Sequence, residues 1–177
     1  MVRYRVFVIL CVLGLLGLSW RGAGAAGQLD DATILAIYDQ ANTADILTGR
    51  LAAKYGSSED VRTLGRMVAA DHVAVQQMGR DLAKKLGVIP TPPEGDSSIM
   101  DYAKAVAMLQ SKRGAEFDRA YLQHEVSFHQ AVVDAIKGTL LPAAANPELR
   151  ALMTTVLPGF EHHLAATKAA AAMMGVK

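Results

Sequence analysis

The sequence predicts an all-α protein: a four-helix bundle with a crossover connection, carrying a short extra helix, between its second and third helices. Three observations carry that expectation. Four segments repeat apolar or small residues at alternating three- and four-residue steps, the period of one helix face. Each segment is bounded by N-cap residues at its start and by Gly or another breaker near its end. Ala is abundant, while aromatic and β-branched residues are sparse, which favours helices over sheets.

Ahead of the helices stands MVRYRVFVILCVLGLLGLSWRGAGA. Arg3 and Arg5 precede an apolar run from Val6 to Trp20, and Ala23-Gly24-Ala25 supplies the small residues that a signal peptidase cuts behind. Residues 1–25 therefore read as a cleavable secretory signal, cut after Ala25 or Ala26. The apolar run of about 15 residues is shorter than the roughly 20 needed to cross the hydrocarbon core. The competing reading is an uncleaved N-terminal anchor, against which Gly and Ala rather than charges follow the run. Cys11 lacks the small residue expected before a lipid-modified cysteine, which speaks against a lipoprotein. The expected destination is the periplasm or the medium, with no stable membrane insertion after cleavage.

The whole chain has 18 basic and 17 acidic residues, a net charge of +1. Residues 1–25 hold three arginines and no acid, so their removal leaves 15 basic against 17 acidic residues, a net charge of −2. The only Cys and the only Trp leave with them. A near-neutral, cysteine-free chain has no electrostatic footprint for nucleic acid and needs no disulfide. Residues 26–177 are enough for one domain with one substantial core.

The first helix is expected over about 31–55, with Asp30 or Asp31 as N-cap and Gly56 as its stop. Its stripe, Ile34, Tyr38, Ala41, Asp45, Thr48, Ala52 and Tyr55, carries an acid in its middle. The second helix spans about 58–86 and ends at Gly87. Its stripe of Val61, Leu64, Val68, His72, Val75, Gly79, Leu82 and Leu86 puts His72 where a bundle expects an apolar side chain. Ile89 to Asp96, IPTPPEGD, cannot be helical with three prolines in five positions. A short helix follows at about 97–112, with Ile99, Tyr102, Val106 and Leu109 facing inward. This connection of nearly 30 residues is long enough to cross the length of a bundle. The third main helix is expected over about 115–138. The fourth runs over about 147–174, from Pro147 behind the N-cap Asn146, with a kink at Pro158 just before His163.

In the third helix Asp118, Leu122, Glu125 and His129 share a face. Asp45, His72, Glu125, His129 and His163 thus come from four helices, each on or beside its apolar stripe. Burying such groups costs several kcal/mol unless they are paired or hold a metal. At 1.5 Å per residue, Asp45 and His72 lie about 11 and 15 residues from their shared turn, a mismatch near 6 Å that side chains can bridge. Counted from the turn before the fourth helix, Glu125 comes closer than His129 to the level of His163. One reading is a transition-metal site of imidazoles and carboxylates, as Zn, Fe or Mn accept. The other is a hydrogen-bonded polar layer that fixes helix register.

A di-iron carboxylate site wants a Glu-x-x-His on each of two helices. Neither is present: Ala69 stands three before His72, Glu125 four before His129, and Glu161 only two before His163. Oxidase chemistry of that type is disfavoured. His162 must project away from His163 and is expected at the surface. There is no Ser in a strand-to-helix elbow and no phosphate-cradling glycine loop.

These landmarks also carry a resemblance. NTADI at 42–46, MVAADH ending at His72, FDRAYLQHEVSFH from Phe117 to His129 and LPGFEHH from Leu157 to His163, in that order, resemble the bacterial domain-of-unknown-function family 4142. The resemblance covers about Ile34 to Ala170 and implies export and a ferritin-like four-helix fold, but no reaction. The family pattern often has Glu where this chain has Asp45. The expected function is an extracytoplasmic binding or interaction module with a metal or small-ligand site, taking a small ligand or an envelope protein as partner. The alternatives are a structural or stress-related envelope protein and, less favoured, a metal-dependent oxidoreductase.

Overall fold

Capping chemistry sets the helix starts. The Asp30 carboxylate accepts the Thr33 N–H at 2.8 Å and opens α1, Asp31–Tyr55. The Ser58 hydroxyl accepts from Val61 N–H at 3.2 Å and opens α2, Glu59–Leu86, which Gly87 ends in the left-handed conformation at φ 66°. After the proline-rich stretch come α3, Ser98–Gln110, and α4, Gly114–Ala135. A π-helical turn, Ile136–Leu140, and a three-residue α5, Leu141–Ala143, prolong α4 without a break. Asn146 then caps α6, Pro147–Met173, accepting the Glu148 N–H at 2.8 Å. The computed structural model describes residues 29–176, and the expected signal segment 1–25 lies outside the described residues. Among the described residues there is no strand, and no helix is long and apolar enough to cross a membrane.

The fold is an all-helical bundle, and its tightest contact is between α1 and α2. A Cβ on Gly65 would lie 2.6 Å from the Gly49 carbonyl oxygen, so these two backbones touch where side chains would hold them apart. Asp118 of α4 clamps the turn joining them. Its Oδ1 accepts the Ser57 N–H at 2.7 Å, and its Oδ2 accepts the Ser57 hydroxyl at 2.7 Å and the Ser58 N–H at 2.9 Å. Asp118 is therefore a fastener of the turn, and it stands apart from the chemical cluster below. The Asp31 carboxylate does a similar service at the other end, accepting the N–H groups of Ala145 and Asn146 at 2.9 and 3.0 Å.

Apolar side chains gather in two clusters. One joins Ile34, Leu35, Tyr38, Ala83, Val133, Ile136, Leu149, Met153 and Phe160; the other joins Ala52, Val61, Val68, Leu109, Phe117, Tyr121, Leu122 and Ala170. On each of α1, α2, α4 and α6, the residues singled out as polar fall between those of the two clusters. A polar layer thus interrupts the apolar core.

Two expectations need correction. Ile99 does not face inward: it is 60 % exposed, and α3 buries Ala105 and Leu109 instead, with Tyr102 and Val106 half-buried. The stripe was traced from the wrong residue, because Ala105 is small enough to let α3 lie close to its neighbours. The third main helix also does not stop at Gly138; the π turn carries it through Gly138 to Ala143. Glycine without a nearby turn residue is a weak stop when the flanking Ile136 and Leu140 are buried.

Candidate metal centre

Asp45, His72, Glu125, His129 and His163 meet in that layer, each at most 4 % exposed. The three imidazoles converge. His72 Nε2 lies 3.3 Å from His129 Nε2 and 3.1 Å from His163 Nδ1, and Asp45 Oδ2 is 3.4 Å from the same His72 nitrogen. On the far side of His129, Nδ1 is 3.4 Å from Glu125 Oε2 and 3.9 Å from Asp45 Oδ1. His129 rather than Glu125 meets His163, contrary to the level count. The reason is the prolonged α4: with helix continuing to Ala143, His129 and His163 lie about 14 and 16 residues from the turn, a mismatch near 3 Å.

Hydrogen-bond partners assign the protons. The Asn42 amide donates its N–H to the Tyr38 carbonyl at 2.7 Å, so its oxygen is fixed as an acceptor for His72 Nδ1–H at 2.8 Å. His163 Nε2–H donates to Asp71 Oδ2 at 2.9 Å, and His129 Nδ1–H donates to the Glu125 carbonyl at 3.2 Å. In each ring the outward nitrogen has its acceptor, which leaves His72 Nε2, His163 Nδ1 and His129 Nε2 facing one another. Lone pairs at 3.1 and 3.3 Å repel unless a cation stands among them.

The donor set fits a metal ion. Four-coordinate zinc has Zn–N bonds of about 2.0–2.1 Å, which set adjacent donors about 3.3–3.4 Å apart in a tetrahedron. The edges of 3.1, 3.3 and 3.4 Å around His72 Nε2 match that spacing. An outward N–H held by an amide, a carbonyl or a carboxylate is also the support that orients ligating histidines. A purely hydrogen-bonded layer fits less well, because both oxygens of Asp45 and both of Glu125 are buried with no hydrogen-bond partner.

A family model described as a domain of unknown function, DUF4142, matches residues 20–170, more than half of the chain. The chain belongs to the DUF4142 family. No curated protein and no solved structure matches it. All five polar residues of this DUF4142 chain lie inside the matched span.

Without a metal, burial and mutual charge pull the five groups apart. Burial, reinforced by His129 and His163, pushes the His72 imidazole down to about 2. Burial also lowers His163, with Asp71 opposing and His129 assisting. For His129 burial works against the charge, but Asp45 and Glu125 outweigh it and hold the ring at about 9. Burial lifts Asp45 well above the usual carboxylate range against the attraction of His129, and the nearby Glu125 adds to the rise. Glu125 is lowered: burial opposes this, but the bond and charge from His129 prevail. The metal-free DUF4142 site therefore holds a proton on His129 in the place a metal would take.

Three participants were missed in the sequence. Asn42 sits one helical turn before Asp45 on the same buried face, a spacing that could have revealed it. Asp71 adjoins His72 and leaves the α2 stripe, so no periodicity points to it; its side chain is 56 % exposed and brings the cluster to the surface. Tyr121, read as packing bulk, has a buried hydroxyl with no partner. Burial first, then Glu125 and Asp45, raise that hydroxyl well above an ordinary phenol. His162 is exposed, as expected.

Proposed function

We propose that this DUF4142 protein is an exported metal-binding bundle that holds one divalent transition ion, of the Zn, Fe or Mn class, on His72, His129, His163 and Asp45. The observation that carries the reading is the three-imidazole convergence at 3.1 and 3.3 Å with every outward nitrogen already engaged. Glu125 serves as the acceptor that steadies His129. When bound, the ion supplies a Lewis-acidic centre in a buried polar layer; the histidines orient it and Asp45 offsets part of its charge. The role is binding within one domain spanning 26–177, with a small ligand or an envelope protein as partner and no nucleic acid.

A ferritin-like four-helix architecture with a crossover is part of the proposal. In its favour, α2 and α4 both run from the Val61–Phe117 cluster to the Ala83–Val133 cluster, so the connection between them must return along the bundle. Export to the periplasm or the medium rests on the N-terminal Arg3, Arg5 and apolar run.

Elemental analysis of protein taken from its native compartment is the test, repeated on His72→Ala and His163→Ala. One equivalent of transition metal in the parent, lost from both variants while their helical content persists, is the expected result. Metal-free parent protein that also takes up no ion on incubation with zinc would sink the reading.

A further inference from the structure

One transition ion leaves much of the polar layer unsatisfied. It uses Oδ2 of Asp45, and Asp45 Oδ1, both Glu125 oxygens and the Tyr121 hydroxyl remain buried without a hydrogen-bond partner. Glu125 and Tyr121 are fully buried and Asp45 is 1 % exposed. Leaving a buried carboxylate unpaired is costly, and four orphaned oxygens around one point call for a positive partner. The donor atoms of Asp45, Glu125 and His129 lie within 4.8 Å of one another, as do those of the three histidines. His129 belongs to both groups. Its Nε2 faces His72 and its Nδ1 faces Glu125 and Asp45, at 3.3, 3.4 and 3.9 Å.

We infer that the cluster has a second cation subsite, built from Asp45, Glu125 and the Nδ1 side of His129, which takes a hard, oxygen-preferring divalent ion such as Mn²⁺. The inference rests on the metal reading above, with the first ion on the nitrogen-rich side. The 3.4 Å edge already suits a common ion, and the 3.9 Å edge closes by about half an ångström in a tetrahedral shell. Imidazole nitrogens suit Zn, while carboxylate oxygens suit Mn, so the two halves sort their ions by chemistry. The second ion takes the Nδ1 lone pair in exchange for the proton that otherwise goes to the Glu125 carbonyl, and that proton leaves to solvent. His129 then links the two ions. Two divalent ions against two carboxylates and one imidazolate leave a single positive charge, which one hydroxide from water balances.

The chain, stripped of metal and loaded with one equivalent of Zn²⁺, is titrated with Mn²⁺. Unbound Mn²⁺ is followed by electron paramagnetic resonance, and retained metals are counted after desalting. One Zn and one Mn per chain is the expected result. Retention of Zn with no Mn, or of Mn only at the expense of Zn, overturns the second subsite and leaves the first reading standing. Failure to retain Zn overturns both. Glu125→Gln keeps an acceptor for His129 Nδ1–H but loses the charge, so Zn binding should persist while Mn affinity falls on the order of 100-fold. Unchanged Mn binding in that variant overturns the assignment. With Cu²⁺ in place of Zn²⁺, the copper signal should weaken as Mn²⁺ enters, because His129 connects them; an unaltered copper signal alongside bound Mn²⁺ excludes the shared imidazole.

Discussion

Asn42 decides which face of His72 is available. Its amide cannot flip, because one end is tied to the Tyr38 carbonyl, and so the other end holds the His72 proton away from the centre. Asn42→Ala should weaken zinc binding about 10- to 100-fold, measured against a competing chelator, while Asn42→Asp, which keeps an acceptor, should bind within a few-fold of the parent. The same residues shape the response to pH. His72, His124 and His163 are lowered chiefly by burial, so the folded metal-free protein binds fewer protons than the unfolded chain below pH about 6.5, and acid destabilises it. Asp45, which is raised, offsets part of this. His129 works in the opposite window: its contribution is complete below about 6.5 and is lost as pH rises through about 9. The melting temperature of the metal-free protein should therefore peak near pH 6.5–7 and fall on both sides. Zinc should abolish the alkaline fall, since the ion replaces the His129 proton.

At the scale of the helices, the close approach of α1 and α2 fixes the levels of Asp45 and His72. A methyl at Gly65 would meet the Gly49 carbonyl at 2.6 Å and the Ala52 methyl at 2.7 Å, both parts of packed helices that cannot swing aside. Gly65→Ala should cost roughly 1–3 kcal/mol, read as a drop of about 2–4 °C in melting temperature per kcal/mol. Helix starts were legible because Asp30, Ser58 and Asn146 act locally, through bonds to N–H groups two or three residues on. The five polar residues were legible because each interrupts an apolar period. Their pairing was legible for Asp45 with His72, across a two-glycine turn contact, and illegible for His129 with His163. That pairing depends on a π turn at Ile136–Leu140, and no residue type in IKGTL announces one. Asp71 and the inward face of α3 escaped for a related reason: contacts across helices, rather than periods along one, decide them.

For the molecule as a whole, the polar layer divides the apolar core into two clusters, and a metal would turn that division into a cross-link among α1, α2, α4 and α6. Zinc at about 100 times its dissociation constant should add about 2.7 kcal/mol, or roughly 5–11 °C in melting temperature near pH 7. Scanning calorimetry with and without zinc measures it; an equal shift in His163→Ala would show that the gain lies elsewhere. The π turn gives this arrangement a particular kind of heritability. A helix with one residue too many in a turn reverts to a regular α-helix when one codon is lost, and everything on one side then rotates by about 100° against the other. Substitutions along Ile136–Leu140 leave the His129–His163 meeting intact, whereas an in-frame deletion of a single residue there dismantles it. The centre is therefore tolerant of drift in spelling and intolerant of drift in length, and lineages that shorten this segment are expected to shed the histidines along with it.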